Sequence, residues 1–122
     1  MGNKNESLVG HIMKAFGYTY SGFEAAWKNE LAFRGELVVV AVMAPLGLWL
    51  GSSGVERALL IGSLLIIPLT ELLNSAIEAV VDRIGPQRHE LSKRAKDMGS
   101  AAAFISMVTA ALVWILIAWD RF

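Results

Sequence analysis

The chain has 122 residues, room for one domain, and 55% of them are hydrophobic. With a mean hydropathy of +0.51, a soluble fold of this size has too little interior to hide so much apolar surface. Charged residues make up 18% and cancel to zero net charge, which argues against a nucleic-acid binder. The absence of cysteine, with two histidines, removes a disulfide framework and argues against a zinc centre.

The first element is an N-terminal amphipathic surface helix over about residues 6–28. Leu8, Val9, Ile12, Met13 and Phe16 fall on one face, the spacing of a helix lying in the membrane interface. The stretch is too polar for a cleavable signal peptide. Gly17 to Ser21 reads as a turn. Ser21 followed by Glu24 matches a capping box, so a second helix is expected to start there and feed the first span.

The first span covers about residues 31–50. Its uncharged core, Leu37 to Leu50, is short and contains Pro45, so a kink is expected there. A re-entrant segment is the alternative. The second span, about residues 56–84, is apolar to Leu69 and then admits Glu71, Asn74, Glu78 and Asp82 while keeping helical periodicity. The third, about residues 91–119, holds no charge from Met98 to Trp119. Its start is lined by small residues that let another helix approach. Trp27, Trp49, Trp114 and Trp119 are expected to be interface anchors. The fold class is therefore an all-α integral membrane protein, with residues 1–122 forming one membrane domain.

Basic residues set the orientation. Lys4, Lys14, Lys28 and Arg34 precede the first span, and Arg83, Arg88, Lys93, Arg94 and Lys96 lie between the second and third. Only Arg57 and Arg121 lie on the other side, so the N-terminus is expected in the cytoplasm and the C-terminus outside.

The acidic stripe is the candidate site. Positions 71, 74, 78 and 82 share one helical face, and Glu71 and Glu78 are about 10 Å apart along the axis. An ionisable group at the centre of a membrane helix costs about 2.5–3.5 kcal/mol or more, so such groups tend to face a bundle interior and mark function. Asp82 reads instead as solvated, where the helix leaves the bilayer. Oxygen-only ligands suit Mg²⁺, which takes one or two carboxylates plus substrate phosphates. Glu30, at the junction of the surface helix and the first span, pairs plausibly with Glu78 as a metal clamp, or is an ordinary surface charge. Lys93, Arg94 and Lys96 suit a polyphosphate or anionic lipid. His89 either bonds a nucleotide or is solvated. There is no Walker A sequence and no G-x-G-x-x-G loop.

Three segments resemble a known family. Glu71-Leu-Leu-Asn-Ser-Ala-Ile-Glu78-Ala-Val-Val-Asp-Arg-Ile-Gly85 is similar to the signature of the bacterial integral-membrane diacylglycerol kinases. So is His89-Glu-Leu-Ser with Arg94-Ala-Lys-Asp-Met-Gly-Ser100-Ala, and so is Ala25-Ala-Trp-Lys-Asn-Glu30-Leu-Ala-Phe-Arg34. The resemblance is to the Gram-negative type. It implies a homotrimer with active sites between subunits at the cytoplasmic face of the inner membrane. There, diacylglycerol would be phosphorylated by Mg·ATP to phosphatidic acid.

Carried over by motif, Glu71 would be the general base and Asn74 would order the site. Glu30 and Glu78 would hold Mg²⁺ with ATP, while Tyr18, His89, Lys96 and Asp97 would contact the nucleotide. Glu24, Trp27 and Ser100 would lie near the lipid head, with Glu71. His11, Gly35 and Pro86-Gln-Arg88 depart from the family pattern. The alternatives are an undecaprenol kinase or a non-enzymatic small transporter or assembly subunit.

Overall fold

The computed structural model describes Asn5 and residues 7–122, and every regular element among them is an α-helix. In chain order these are α1 (Leu8–Asn29), α2 (Leu31–Leu50), α3 (Gly54–Ile84) and α4 (Glu90–Arg121). Lys4, counted in the charge asymmetry, and Glu6, the expected helix start, lie outside the described residues.

Each helix has a local reason to begin where it does. Ser7 caps α1, its Oγ accepting from Gly10 N–H at 3.1 Å. Ser53 caps α3 by accepting from Glu56 N–H at 3.1 Å, and Glu56 Oε1 reaches back to accept from Ser52 N–H at 3.1 Å, satisfying two orphan donors together. His89 caps α4, with Nδ1 accepting from Leu91 N–H at 3.1 Å. α3 ends at Gly85, whose φ of 147° is open to glycine and hostile to side chains, and Pro86 follows.

The expected turn at Gly17–Ser21 does not form. α1 runs unbroken from Leu8 to Asn29, and the capping box at Ser21 starts nothing. The apolar stripe explains this: Phe16, Tyr20, Phe23 and Trp27 continue it at helical spacing straight through the glycines. Gly17 and Gly22 each cost about 1 kcal/mol relative to alanine, too little to break a helix with a continuous face. The real break is one residue wide. Glu30 is extended (φ −119°, ψ 103°), ending α1 and opening α2.

α2, α3 and α4 are each long and apolar enough to cross a membrane. At 1.5 Å per residue, the 20 residues of α2 reach about 30 Å, the thickness of a hydrocarbon core. The 31 residues of α3 exceed it, so α3 tilts or projects. Pro45 and Pro68 sit inside α2 and α3 without ending either.

α3 is central, packed along both α2 and α4. Leu60 and Leu64 are buried on it. Trp114, expected at the membrane interface, locks three helices together. Its Nε1–H donates to Leu60 O at 3.1 Å, and its ring lies over Gly47, where a Cβ would meet Trp114 Cζ2 at 3.3 Å. The bare backbone of α2 thus admits an indole from α4 onto α3. Nearby, Arg57 Nε donates to Leu48 O at 3.1 Å, and the Arg121 guanidinium stands 5.1 Å from the Trp49 ring centre. Midway along the α3–α4 seam, Thr70 Oγ1 donates to Ser106 Oγ at 2.9 Å, which donates to Ala103 O at 2.6 Å. At the other end Phe23 stacks on the buried Phe33 with ring centres 6.5 Å apart, tying α1 to α2.

Candidate active site

The end of the bundle opposite the α2–α3 turn gathers the start of α2, the last half of α3 and the start of α4. Antiparallel packing brings these segments together, and with them the carboxylates. Glu71 lies within electrostatic reach of both Glu30 and Glu78, and Glu36 lies within reach of Glu71. All four are partly buried. Such crowding of like charge at the edge of an apolar bundle is relieved by nearby cations or by protonation of a carboxyl.

Each side chain is held by its element. Glu30 occupies the α1–α2 break but makes no side-chain cap to α2, so its carboxylate has no capping duty. Glu71 Oε1 accepts from Ser75 Oγ at 3.5 Å, a long contact one turn along α3. Asn74 is buried, and its Nδ2 donates to Glu78 Oε1 at 3.4 Å. Between α1 and α3 an open groove of about 580 Å³ runs past Glu30, lined by Phe23, Ala26, Leu72 and Ser75.

The cationic side sits on α4 and the α3–α4 loop. Lys96 Nζ pairs with Asp82 Oδ1 at 2.9 Å, bridging α4 to α3, and also lies within reach of Glu78. Asp82, read from sequence as solvated, is exposed and has this partner as well. Lys93 Nζ pairs with Asp97 Oδ2 at 2.6 Å, one turn apart. A second pocket, of about 630 Å³, is lined by Asp82, Arg88, His89, Lys93, Lys96 and Asp97. His89, besides lining it, is the α4 cap.

The remaining sequence-derived candidates are less engaged. Tyr18 and Trp27 are exposed on α1. Glu24 accepts from Lys28 Nζ at 2.6 Å, and Ser100 is exposed on α4. Two further residues border the site through partners that the sequence does not reveal. Glu36 reads as an interface charge at the head of an apolar run, yet its Oε2 is buried without a hydrogen-bond partner. Gly99 reads as one small residue among several, yet Asn74 lies against it.

The donor set is all oxygen. Among the described residues no three Asp, Glu or His side chains converge to hold a metal ion unaided. Two carboxylates with the rest of the shell drawn from phosphates and water is the arrangement a small hard cation accepts, and Glu30 and Glu78 are carboxylates of that chemical kind.

Acidic groups, flanking cations and an apolar groove lie together at one end of an apolar bundle, a combination suited to phosphate chemistry at a lipid surface. Comparison with known proteins makes this specific. Residues 17–118 match the family model for prokaryotic diacylglycerol kinase. The chain is 50% identical over 111 residues to the diacylglycerol kinase of Escherichia coli (strain K12), covering 91% of each chain. It is 47% identical over 104 residues to that of Haemophilus influenzae, covering 85% of this chain and 88% of the relative. To that of Pseudomonas aeruginosa it is 45% identical over 114 residues, covering 93% of each. The chain belongs to the prokaryotic diacylglycerol kinase family and is a membrane-embedded lipid kinase.

Proposed function

We propose that the chain transfers the γ-phosphoryl group of ATP to diacylglycerol, giving phosphatidic acid and ADP, at the cytoplasmic face of a bacterial inner membrane. The observation that carries this reading is the clustering of Glu71 with Glu30 and Glu78 in a chain whose relatives bear the name diacylglycerol kinase. Phosphoryl transfer depends on positioning and charge stabilisation, with one group to take or orient the hydroxyl proton.

Glu71 has that last role. It sits deepest of the α3 carboxylates, where a lipid hydroxyl arrives without its acyl chains leaving the bilayer. As general base it accepts the proton while the hydroxyl oxygen bonds to phosphorus and the bond to the ADP oxygen breaks. Glu30 and Glu78 would hold Mg²⁺ with the nucleotide, and its charge would offset that of the phosphate oxygens. Asn74 orders Glu78 through the 3.4 Å contact. Lys96 turns from Asp82 to the phosphates, Asp97 and His89 flank the nucleotide, and Tyr18 approaches it from α1. Glu24, Trp27 and Ser100 border the lipid head.

The working unit is a homotrimer. The family resemblance implies it, and α2–α4 leave many large apolar side chains exposed. Lipid and neighbouring subunits both cover such faces. The N-terminus lies in the cytoplasm and the C-terminus in the periplasm, as the Lys and Arg distribution favours.

The test offers diacylglycerol and undecaprenol together with labelled ATP and separates the products by thin-layer chromatography. Label is expected in phosphatidic acid. Label confined to the polyprenol overturns the substrate assignment, and no label in either lipid overturns the reaction. Cross-linking in detergent is expected to trap trimers; trapping nothing beyond monomers overturns the assembly.

A further inference from the structure

Asn74 is the most deeply buried side chain of the stripe, 8% exposed. Its Nδ2 donates to Glu78 Oε1, but its Oδ1 is buried with no hydrogen-bond partner. A carboxamide oxygen left in that state is costly, and a group retained at such cost needs a reason. The reason lies across the α3–α4 seam. Oδ1 occupies the space in which a side chain at position 99 would begin. A Cβ on Gly99 would overlap Oδ1 and stand 3.2 Å from Asn74 Cγ and 3.7 Å from Asn74 Cα. Gly99 therefore opens a slot for the amide and turns a Cα–H toward its oxygen, a weak donor. The Glu78 carboxylate fixes which way the amide faces. Oxygen toward α4 leaves the NH₂ for the Glu78 carboxylate; the reverse would set oxygen against oxygen.

We infer that Gly99 is a positioning residue for the metal–nucleotide site, acting through Asn74 on Glu78. The inference rests on reading Glu78 as a metal ligand. A glycine that served only close helix packing would affect stability and leave metal affinity alone, so the two roles separate by measurement.

The experiment measures Mn²⁺ affinity by electron paramagnetic resonance of the free ion, with a non-hydrolysable ATP analogue present, on purified full-length protein. The variants are Gly99→Ala, Asn74→Ala, the double variant and Glu78→Gln, with metal-free thermal unfolding recorded for each. Gly99→Ala is expected to raise the Mn²⁺ Kd about 10-fold, the lower end for loss of a partner that orients a ligand. Asn74→Ala is expected to do the same. The double variant is expected to bind as Asn74→Ala does, because the methyl then fills space the carboxamide has left and has nothing to displace. A folded Gly99→Ala protein with unchanged Kd overturns the inference, and so does a double variant weakened by the product of the single effects. If Gly99→Ala does not fold, the double variant compared with Asn74→Ala decides by the same criterion. If Glu78→Gln leaves the Kd unchanged, the ligand role of Glu78 fails and the inference falls with it. If Glu78→Gln weakens binding and Gly99→Ala does not, only the link through Asn74 fails.

Discussion

Replacing Glu71 by glutamine separates chemistry from architecture. The amide matches the carboxylate in size and can still accept from Ser75 Oγ, now 3.5 Å from Oε1, so packing is conserved. What goes is the ability to take a proton, together with one negative charge from a group that includes Glu30, Glu36 and Glu78. A positioned general base contributes roughly 10²–10⁴-fold, or about 2.7–5.4 kcal/mol at 1.36 kcal/mol per decade. Stability should move the other way. A carboxylate inside a membrane helix carries an insertion cost of about 2.5–3.5 kcal/mol, and relieving repulsion helps further, so the unfolding midpoint should hold or rise. This opposition of stability and activity marks a functional site. The assay is turnover on a short-chain diacylglycerol in mixed micelles, with KM for ATP and thermal unfolding measured alongside. Turnover is expected to fall at least about 100-fold with KM for ATP little changed, the signature of an interaction made only in the transition state. A folded variant that retains more than about a tenth of parental turnover refutes Glu71 as base.

Glu78→Gln is expected to raise the Mg²⁺ concentration giving half-maximal rate about 10-fold or more; an unchanged Mg²⁺ titration removes it as a ligand. Trp114→Phe keeps an aromatic ring over Gly47 but loses the bond to Leu60 O, and should lower stability by about 0.5–1.5 kcal/mol without changing KM for either substrate. Equilibrium unfolding in mixed micelles measures that loss. Gly51→Ala places a Cβ 2.6 Å from Arg57 Cγ and 3.1 Å from Arg57 N, so a destabilisation of about 1–3 kcal/mol is expected from overpacking. Thermal unfolding of that variant checks it, and an unperturbed midpoint would mean that the α2–α3 turn yields easily.

The membrane architecture was legible because the apolar runs are long and the polar interruptions sit on one face. The stripe on α3 could be read for the same reason: Glu71, Asn74 and Glu78 repeat at helical spacing. The continuity of α1 is hidden in the sequence because glycine spacing and a capping pattern suggest a turn, while the stripe that overrides them continues through Tyr20, Phe23 and Trp27. The close approach of a helix at Gly99 was legible from its small neighbours, but the partners of Glu36 and Gly99 were not. Each matters only through a partner on another helix, Glu71 for one and Asn74 for the other, and no periodicity within one helix encodes such a pairing. Trp114 belongs to the same class. A tryptophan near the end of an apolar run reads as an anchor, but its seat on Gly47 and Leu60 is invisible in the sequence.

The Trp114 lock and the carboxylates lie at opposite ends of the same three helices. Gly47, Leu60, Trp114, Arg57 and Leu48 fasten the end that carries the α2–α3 turn, while the far end is filled by mutually repelling acids and exchangeable ion pairs. Packing and charge are therefore concentrated at opposite ends of one bundle. The hydrogen-bonded end helps carry the cost of crowding carboxylates at the other, about 27 Å away from Leu60 to Glu78 at 1.5 Å per residue along α3.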